Sequence, residues 1–247
     1  MRFSLIPHLG RHKMTDNPES RSAETVVLLV SGGPDSATLA YLAEKERKAS
    51  GGYINAIYLK TGHASDESEI KAAKDLIRGI GGKLEIIDIS DAVQALGGRS
   101  VLMHAGATVM VFGSVFVLSL ALAYAHHHRA NKVMIGLHAE DAESNPEYSR
   151  EYIDLIQRLA TYTRNDGPQI LTPFIEMRKA EVFRLGAKLG VNYSATWSCT
   201  RAAQIHCGDC TACRARRRAF LSAGLSDSTI YAVELAPAVL QAEAIYS

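Results

Sequence analysis

Short apolar runs alternate along the chain with amphipathic stretches. Residues 25–30 (TVVLLV) are almost wholly apolar, as a strand buried on both faces requires. Residues 36–49 follow with Leu39, Leu42 and Ala43 at helical spacing and charges on the other side. The same pattern predicts strands over 55–61, 83–90 and 169–174, and a strand with an acidic loop over 132–141. It predicts helices over 67–81, 113–129, 146–164 and 178–190, two of them ending at glycine. Regular strand–helix alternation implies an α/β fold with a doubly wound parallel sheet. The alternation ends near residue 194. It separates a poorly ordered leader (1–24), an α/β domain (25–194) and a C-terminal region (195–247).

Composition narrows the function classes. The 247 residues are 47% hydrophobic, enough to fill the core of one α/β domain with a small extension. The formal net charge of +1 gives no overall pull toward nucleic acid or a membrane surface. Arg214, Arg216, Arg217 and Arg218 form a local basic cluster, expected on the solvated face of a helix. The longest apolar run, 109–125, is short for a membrane span and contains Gly113, Ser114 and Ser119. It predicts a buried helix. His126, His127 and His128 follow it as a polar helix end.

Between the first strand and the first helix lies SGGPDS, residues 31–36. Gly32 and Gly33 allow close backbone approach, and successive amides before a helix form an anion nest. Asp35 would repel a phosphate there unless a cation such as magnesium lies between them. The bland alternative is a glycine turn with Asp35 and Ser36 as helix caps. The loop lacks the Lys-Ser/Thr ending of the common nucleoside-triphosphate loop and lacks G-x-G-x-x-G. It resembles the pyrophosphate loop of the PP-loop ATP pyrophosphatases. That resemblance implies adenylation of an oxygen and release of pyrophosphate.

The four cysteines lie within fifteen positions, as Cys199, Cys207, Cys210 and Cys213. Two-residue gaps allow thiolates to converge on one centre, and four complete a closed tetrahedral zinc site of structural type. An iron–sulfur cluster or a redox pair are the rival readings. His206 adjoins Cys207 as a further candidate ligand.

SGGxDS near the start and WSC…HCGxCxxCxxRxxAF near the end together resemble the 7-cyano-7-deazaguanine synthase (QueC) family over roughly residues 25–235. VMIGLHAED, TPFIEMRKAEVFRLGAKLGV and GLSDSTIYA carry the same resemblance. It implies a cytoplasmic, homodimeric ligase using ATP, magnesium and zinc, with a deazapurine acid and free ammonia as substrates. Carried onto this chain, Ser31, Gly32, Gly33, Asp35 and Ser36 would hold pyrophosphate, with Leu29 and Val30 beside the adenine. Asp35 and Lys179 would be the catalytic residues, Asp141 would meet the base or a metal, and the four cysteines would bind zinc. The alternative for Lys179 is a solvated first-turn lysine, and for Asp141 a capping or loop acid.

Three stretches depart from that family's pattern. LKTGHAS stands where Asp-Tyr-Gly-Gln-x-His is usual, Val111–Ser114 lacks an Arg-Asn pair, and Thr200–Ala203 replaces a Tyr and glycine turn. Arg99, His104 and Arg201 are candidates to replace the lost arginine. Two other readings follow. One is a divergent relative that joins a deazapurine or other acid to a nucleophile on a protein or nucleic acid, as in a modification or defence system. The other is a zinc-ribbon nucleic-acid-binding protein that uses the basic cluster.

Overall fold

A computed structural model describes residues 24–96, 113–163, 167–201 and 203–234. The leader, Arg99 and His104 lie outside them. In chain order the elements are β1 (Thr25–Leu29), α1 (Pro34–Ser50), β2 (Tyr53–Lys60), α2 (Asp66–Gly79), β3 (Lys83–Asp88) and α3 (Ser90–Ala95). Then come α4 (Gly113–His127), β4 (Lys132–Met134), α5 (Ala139–Ser144), α6 (Arg150–Thr163), β5 (Gln169–Leu171), α7 (Lys179–Leu189) and α8 (Thr211–Ala223).

The strands form a parallel sheet in the order β3-β2-β1-β4-β5. The chain steps outward from β1 to β3 and returns to β4 on the other side of β1. That reversal makes the carboxyl ends of β1 and β4 a topological switch point, where open α/β sheets bind ligands. The two-residue period of β1 serves two cores. Val27 and Leu29 pack with Leu118, Ala121 and Ile153 of α4 and α6. Leu28 and Val30 pack with Leu39, Ile70 and Val182 of α1, α2 and α7. Helices thus cover both faces, as the apolar run implied.

Several boundaries differ from the sequence pattern. β4 stops at Met134, although the apolar run continues through Ile135 and Leu137. Those two residues line a cavity instead, and the backbone at Gly136 passes so close to α1 that an added Cβ would lie 3.2 Å from the Asp35 carbonyl. The expected helix 146–164 is broken. Pro146–Tyr148 is a 3₁₀ turn capped by Asn145 Oδ1, Ser149 is extended, and its Oγ then accepts the Tyr152 amide. The buried-helix expectation for the run 109–125, of which 109–112 lie outside the described residues, holds along one stripe of α4, through Leu118, Ala121 and Ala125. Ser119 and Ala123 are exposed. Among the described residues no helix is long and apolar enough to cross a membrane.

The C-terminal region folds back onto the sheet domain. Phe220 of α8 meets Phe183 and Tyr193 edge-on, with ring centroids 4.8 and 5.4 Å apart. The expectation of a solvated arginine face fails at two positions: Arg216 is 1% and Arg217 8% exposed. The zinc-pattern residue Cys213 and the aromatic Phe220 flank them at helical spacing and turn that stripe inward.

Candidate active site and metal centre

The SGGPDS loop leaves β1 at the switch point. Gly32 has φ +76°, and an added Cβ would sit 2.4 Å from the Glu69 carbonyl oxygen of α2. Glycine is therefore needed for the turn and for the close approach of α2. Gly33 precedes α1 without a side-chain cap, and Pro34 at the first position has no amide to satisfy. The first-turn amides of Asp35 and Ser36 have no acceptor within the helix. Ser31 Oγ accepts from the Gly33 amide at 3.3 Å, and Ser36 Oγ donates to the Gly33 carbonyl at 3.0 Å.

The loop opens on a cavity of about 560 Å³, a size that suits a nucleotide or a drug-sized ligand. Leu29, Val30, Ser31, Gly33, Asp35 and Ser36 line it, as do Asp141 and Lys179. Gly32 does not. It faces α2, and its carbonyl accepts the Trp197 amide at 2.9 Å. Trp197, Ser198, Thr200, Ala212, Ala215 and Arg216 form a wall of the cavity. The cysteine region thus closes the site that the sheet opens.

The amino ends of α1 and α7 converge here and add their positive dipole ends. Lys179, the first residue of α7, reaches Asp35 Oδ2 at 2.8 Å and His138 Nε2 at 2.9 Å. Its backbone amide donates to Glu140 of α5 at 2.9 and 3.1 Å, which locks the two helix starts together. Asp141 Oδ2 accepts the His138 amide at 2.9 Å and lies 3.4 Å from His138 Nε2. Asp141 is thus a capping acid that also lines the cavity. Burial opposes charge on Lys179, but Asp35 and Asp141 outweigh it and hold the ammonium pKa above the usual lysine value. Burial also raises the Asp141 carboxyl, against the pull of His138 and Lys179. Asp35 Oδ1 is buried without a hydrogen-bond partner. A bare carboxylate oxygen beside a phosphate-type loop is a fitting ligand for a cation.

The sulfurs of Cys199, Cys207, Cys210 and Cys213 all lie within 4.8 Å of one another. All four are free thiols, and Cys207 Sγ is 3.9 Å from Cys213 Sγ. Backbone amides of Cys207, Cys210 and Cys213 point at the sulfurs of Cys199, Cys207 and Cys210, at 3.5, 3.3 and 3.4 Å. Burial raises the Cys213 and Cys207 thiols. Burial also opposes charge on Cys210, but amides of Thr200 and Cys213 bring it down to about 6. Four such sulfurs carry full charge together only around a cation, so the cluster is fit to hold a metal. His206 is not part of it. Its Nε2 accepts the Ser198 amide at 3.0 Å, and burial, then the Arg216 charge, lower its pKa to about 4. Arg201 pairs with Asp209 at 3.0 Å on the outside and does not line the cavity.

The sequence reading missed His138 and the wall residues Trp197, Ser198 and Arg216, whereas Thr200 falls in a stretch singled out as departing from the family pattern. Position offered a signal for one of them. Cys213, Arg216, Arg217 and Phe220 follow i, i+3, i+4, i+7 spacing, which places the two arginines on the stripe of a ligand cysteine. His138 had no such signal, because nothing in HAED separates a buried imidazole from a loop histidine.

Comparison with known proteins agrees with this architecture. The family model "Queuosine biosynthesis protein QueC" matches residues 25–224. The chain is 34% identical over 222 residues to a 7-cyano-7-deazaguanine synthase of Methanospirillum hungatei, covering 83% of this chain and 98% of that protein. It is 32% identical over 225 residues to the synthase of Nostoc punctiforme, covering 83% and 99%. Among solved structures it is similar to the U34-tRNA thiolase NcsA from Methanococcus maripaludis with its [4Fe-4S] cluster. That match has a TM-score of 0.51 and 18% identity, over 70% of this chain and 59% of that one, and bears on the fold alone. With a family match running from β1 to the end of α8, and relatives aligned over nearly their whole length, the chain belongs to the QueC family of queuosine biosynthesis proteins.

Proposed function

We propose that the protein is an ATP-dependent carbon–nitrogen ligase that converts 7-carboxy-7-deazaguanine to 7-cyano-7-deazaguanine with ammonia. Asp35 carries this reading: it lines the cavity, Lys179 holds one of its carboxylate oxygens, and the other is buried without a hydrogen-bond partner. Magnesium bound there would neutralise phosphate charge and help pyrophosphate depart. Ser31, Gly33 and Ser36 hold the phosphate chain with amides and hydroxyls, and Leu29 and Val30 flank the adenine. Lys179 meets charge that develops on the phosphates, and Asp35 keeps it aimed.

The reaction balances in two rounds. A carboxylate oxygen of the acid attacks the α-phosphorus of ATP and pyrophosphate leaves. Ammonia adds to the acyl carbon and AMP leaves, giving the amide and a proton. The amide oxygen then attacks a second ATP, again expelling pyrophosphate. Loss of AMP and of both remaining N–H protons gives the nitrile. The chain's part is to hold the reactants in line and to exclude water.

Cys199, Cys207, Cys210 and Cys213 hold one structural zinc ion in this reading. Zinc–sulfur bonds of about 2.3 Å put tetrahedral sulfurs about 3.8 Å apart, close to the 3.9 Å between Cys207 and Cys213. A cubane cluster seats each sulfur on a different iron and spreads them further.

The test is incubation of the purified protein with ATP, magnesium, ammonia and 7-carboxy-7-deazaguanine, followed by mass spectrometry and pyrophosphate assay. Amide and nitrile are expected, with pyrophosphate released only when the acid is present. A folded protein that makes neither product sinks the reading. Release of pyrophosphate without amide or nitrile points to a different nucleophile.

A further inference from the structure

Arg216 is fully buried in α8, yet it lines the cavity. Its recorded acceptors are all neutral. Nε donates to Thr229 Oγ1 at 2.9 Å, Nη1 to Thr196 Oγ1 at 2.8 Å and Ser198 Oγ at 3.2 Å, and Nη2 to the Tyr193 carbonyl at 2.7 Å. The carboxylate paired with it, Asp227, stands off at 4.0 Å and is itself held by the Thr229 amide and the Tyr231 hydroxyl. Burying a guanidinium among neutral acceptors is costly unless an anion completes its environment. The cysteine cluster begins one turn away, at Cys213. None of the four cysteines lines the cavity.

Among the described residues that line the cavity, the cations are Arg216 and Lys179. Lys179 is already paired with Asp35, and Glu69 and Asp141 add negative charge to the lining. The Arg216 wall stands against the phosphate loop, because the Trp197 amide donates to the Gly32 carbonyl and Ser198 is shared with Arg216. Four hydrogen bonds fix the guanidinium in place before any ligand arrives, which lowers the ordering cost of binding.

We propose that Arg216 is the anion-receiving residue of this pocket, which meets either the phosphate chain of the nucleotide or the carboxylate of the acid substrate. The assignment of those two ligands rests on the function proposed above. The assignment of an anion rests on the buried, preset cation alone.

The test uses the metal-loaded full chain. Trp197, the single tryptophan, lines the same wall and reports binding by its fluorescence. Wild type and Arg216→Gln are titrated with inorganic pyrophosphate plus magnesium, with 7-carboxy-7-deazaguanine, and with uncharged 7-deazaguanine. Arg216→Gln is expected to weaken one anion by about 10- to 100-fold, the worth of a charged hydrogen bond. It is expected to bind the uncharged base as wild type does. Loss confined to pyrophosphate assigns the phosphate chain, and loss confined to the acid assigns its carboxylate. Unchanged affinity for both anions, with zinc content intact, overturns the inference and leaves the ligase reading standing. If wild type binds pyrophosphate but ignores the acid, the substrate reading falls and Arg216 is judged on pyrophosphate. Should Arg216→Gln lose its metal, the guanidinium ¹⁵N signals of arginine-labelled wild type decide, with Arg216→Lys to identify the signal. They must shift on saturation with one of the two anions, and static signals overturn the inference.

Discussion

The two sides of the cavity are built in opposite ways. The phosphate-loop side inherits its geometry from regular structure: β1 delivers the loop, and the helix starts of α1 and α7 aim Asp35 and Lys179 at each other across 2.8 Å. The facing wall, Trp197 to Thr200, has no strand or helix of its own. Its shape comes from four sulfurs, from Arg216 bonding three separate side chains, and from one amide bond to Gly32. The first side is secured by the sheet core and the second by point contacts. Disruption on the first side should therefore harm chemistry before folding, and loss of a cysteine on the second side should harm folding before chemistry.

The largest expected effect is on the loop side. Asp35→Ala should cut pyrophosphate release by about 10²–10³-fold while zinc content and thermal midpoint stay near wild type. A fall in metal content in that variant would erase the distinction between the sides. Next is Cys210→Ala, which should lose zinc, lower the denaturation midpoint and alter Trp197 fluorescence. Chelation of the wild-type metal should reproduce that change, and full zinc retention in Cys210→Ala would remove Cys210 from the ligand set. Lys179→Met comes third, with turnover reduced by about 10²-fold and the metal unaffected. Its shape-matched apolar chain keeps α7 in place but leaves Asp35 without its partner. The smallest effect is at the seam between the sides. The Tyr193 hydroxyl donates to the Phe183 carbonyl at 2.9 Å and lies 3.1 Å from Thr38 Oγ1. Tyr193→Phe should lower stability by about 1 kcal/mol in urea denaturation, with turnover unchanged.

The same contrast decides what the sequence could tell. Features with a short period or a fixed spacing were readable: the apolar run of β1, the SGGPDS turn and the two-residue cysteine gaps. β4 was read too long because Ile135 and Leu137 are apolar for the cavity and not for the sheet. The break at Ser149 was missed because PEYS continues a helical pattern of side chains, while its backbone turns extended. Arg216 and Arg217 were read as solvated because charge in a run usually is. Their burial depends on partners far along the chain: Tyr193, Thr196 and Thr229 for Arg216, and Tyr231, whose ring lies 3.7 Å below the guanidinium, for Arg217. Contacts across such distances leave no local period. Trp197 and Ser198 were invisible as pocket residues for the same reason.

The single bond from Trp197 to Gly32 bears on how such a protein changes over time. Because the tail after residue 194 supplies a wall of the cavity, its exchange between relatives as a cassette should disrupt that cavity. A shortened chain ending there would also bare Ala37 and Phe183, which α8 now covers. Chimeras within the family should keep both ends of the gene from one parent and exchange only the outer strands and their helices. Inheritance, in this molecule, joins its first fifteen described residues to its last forty.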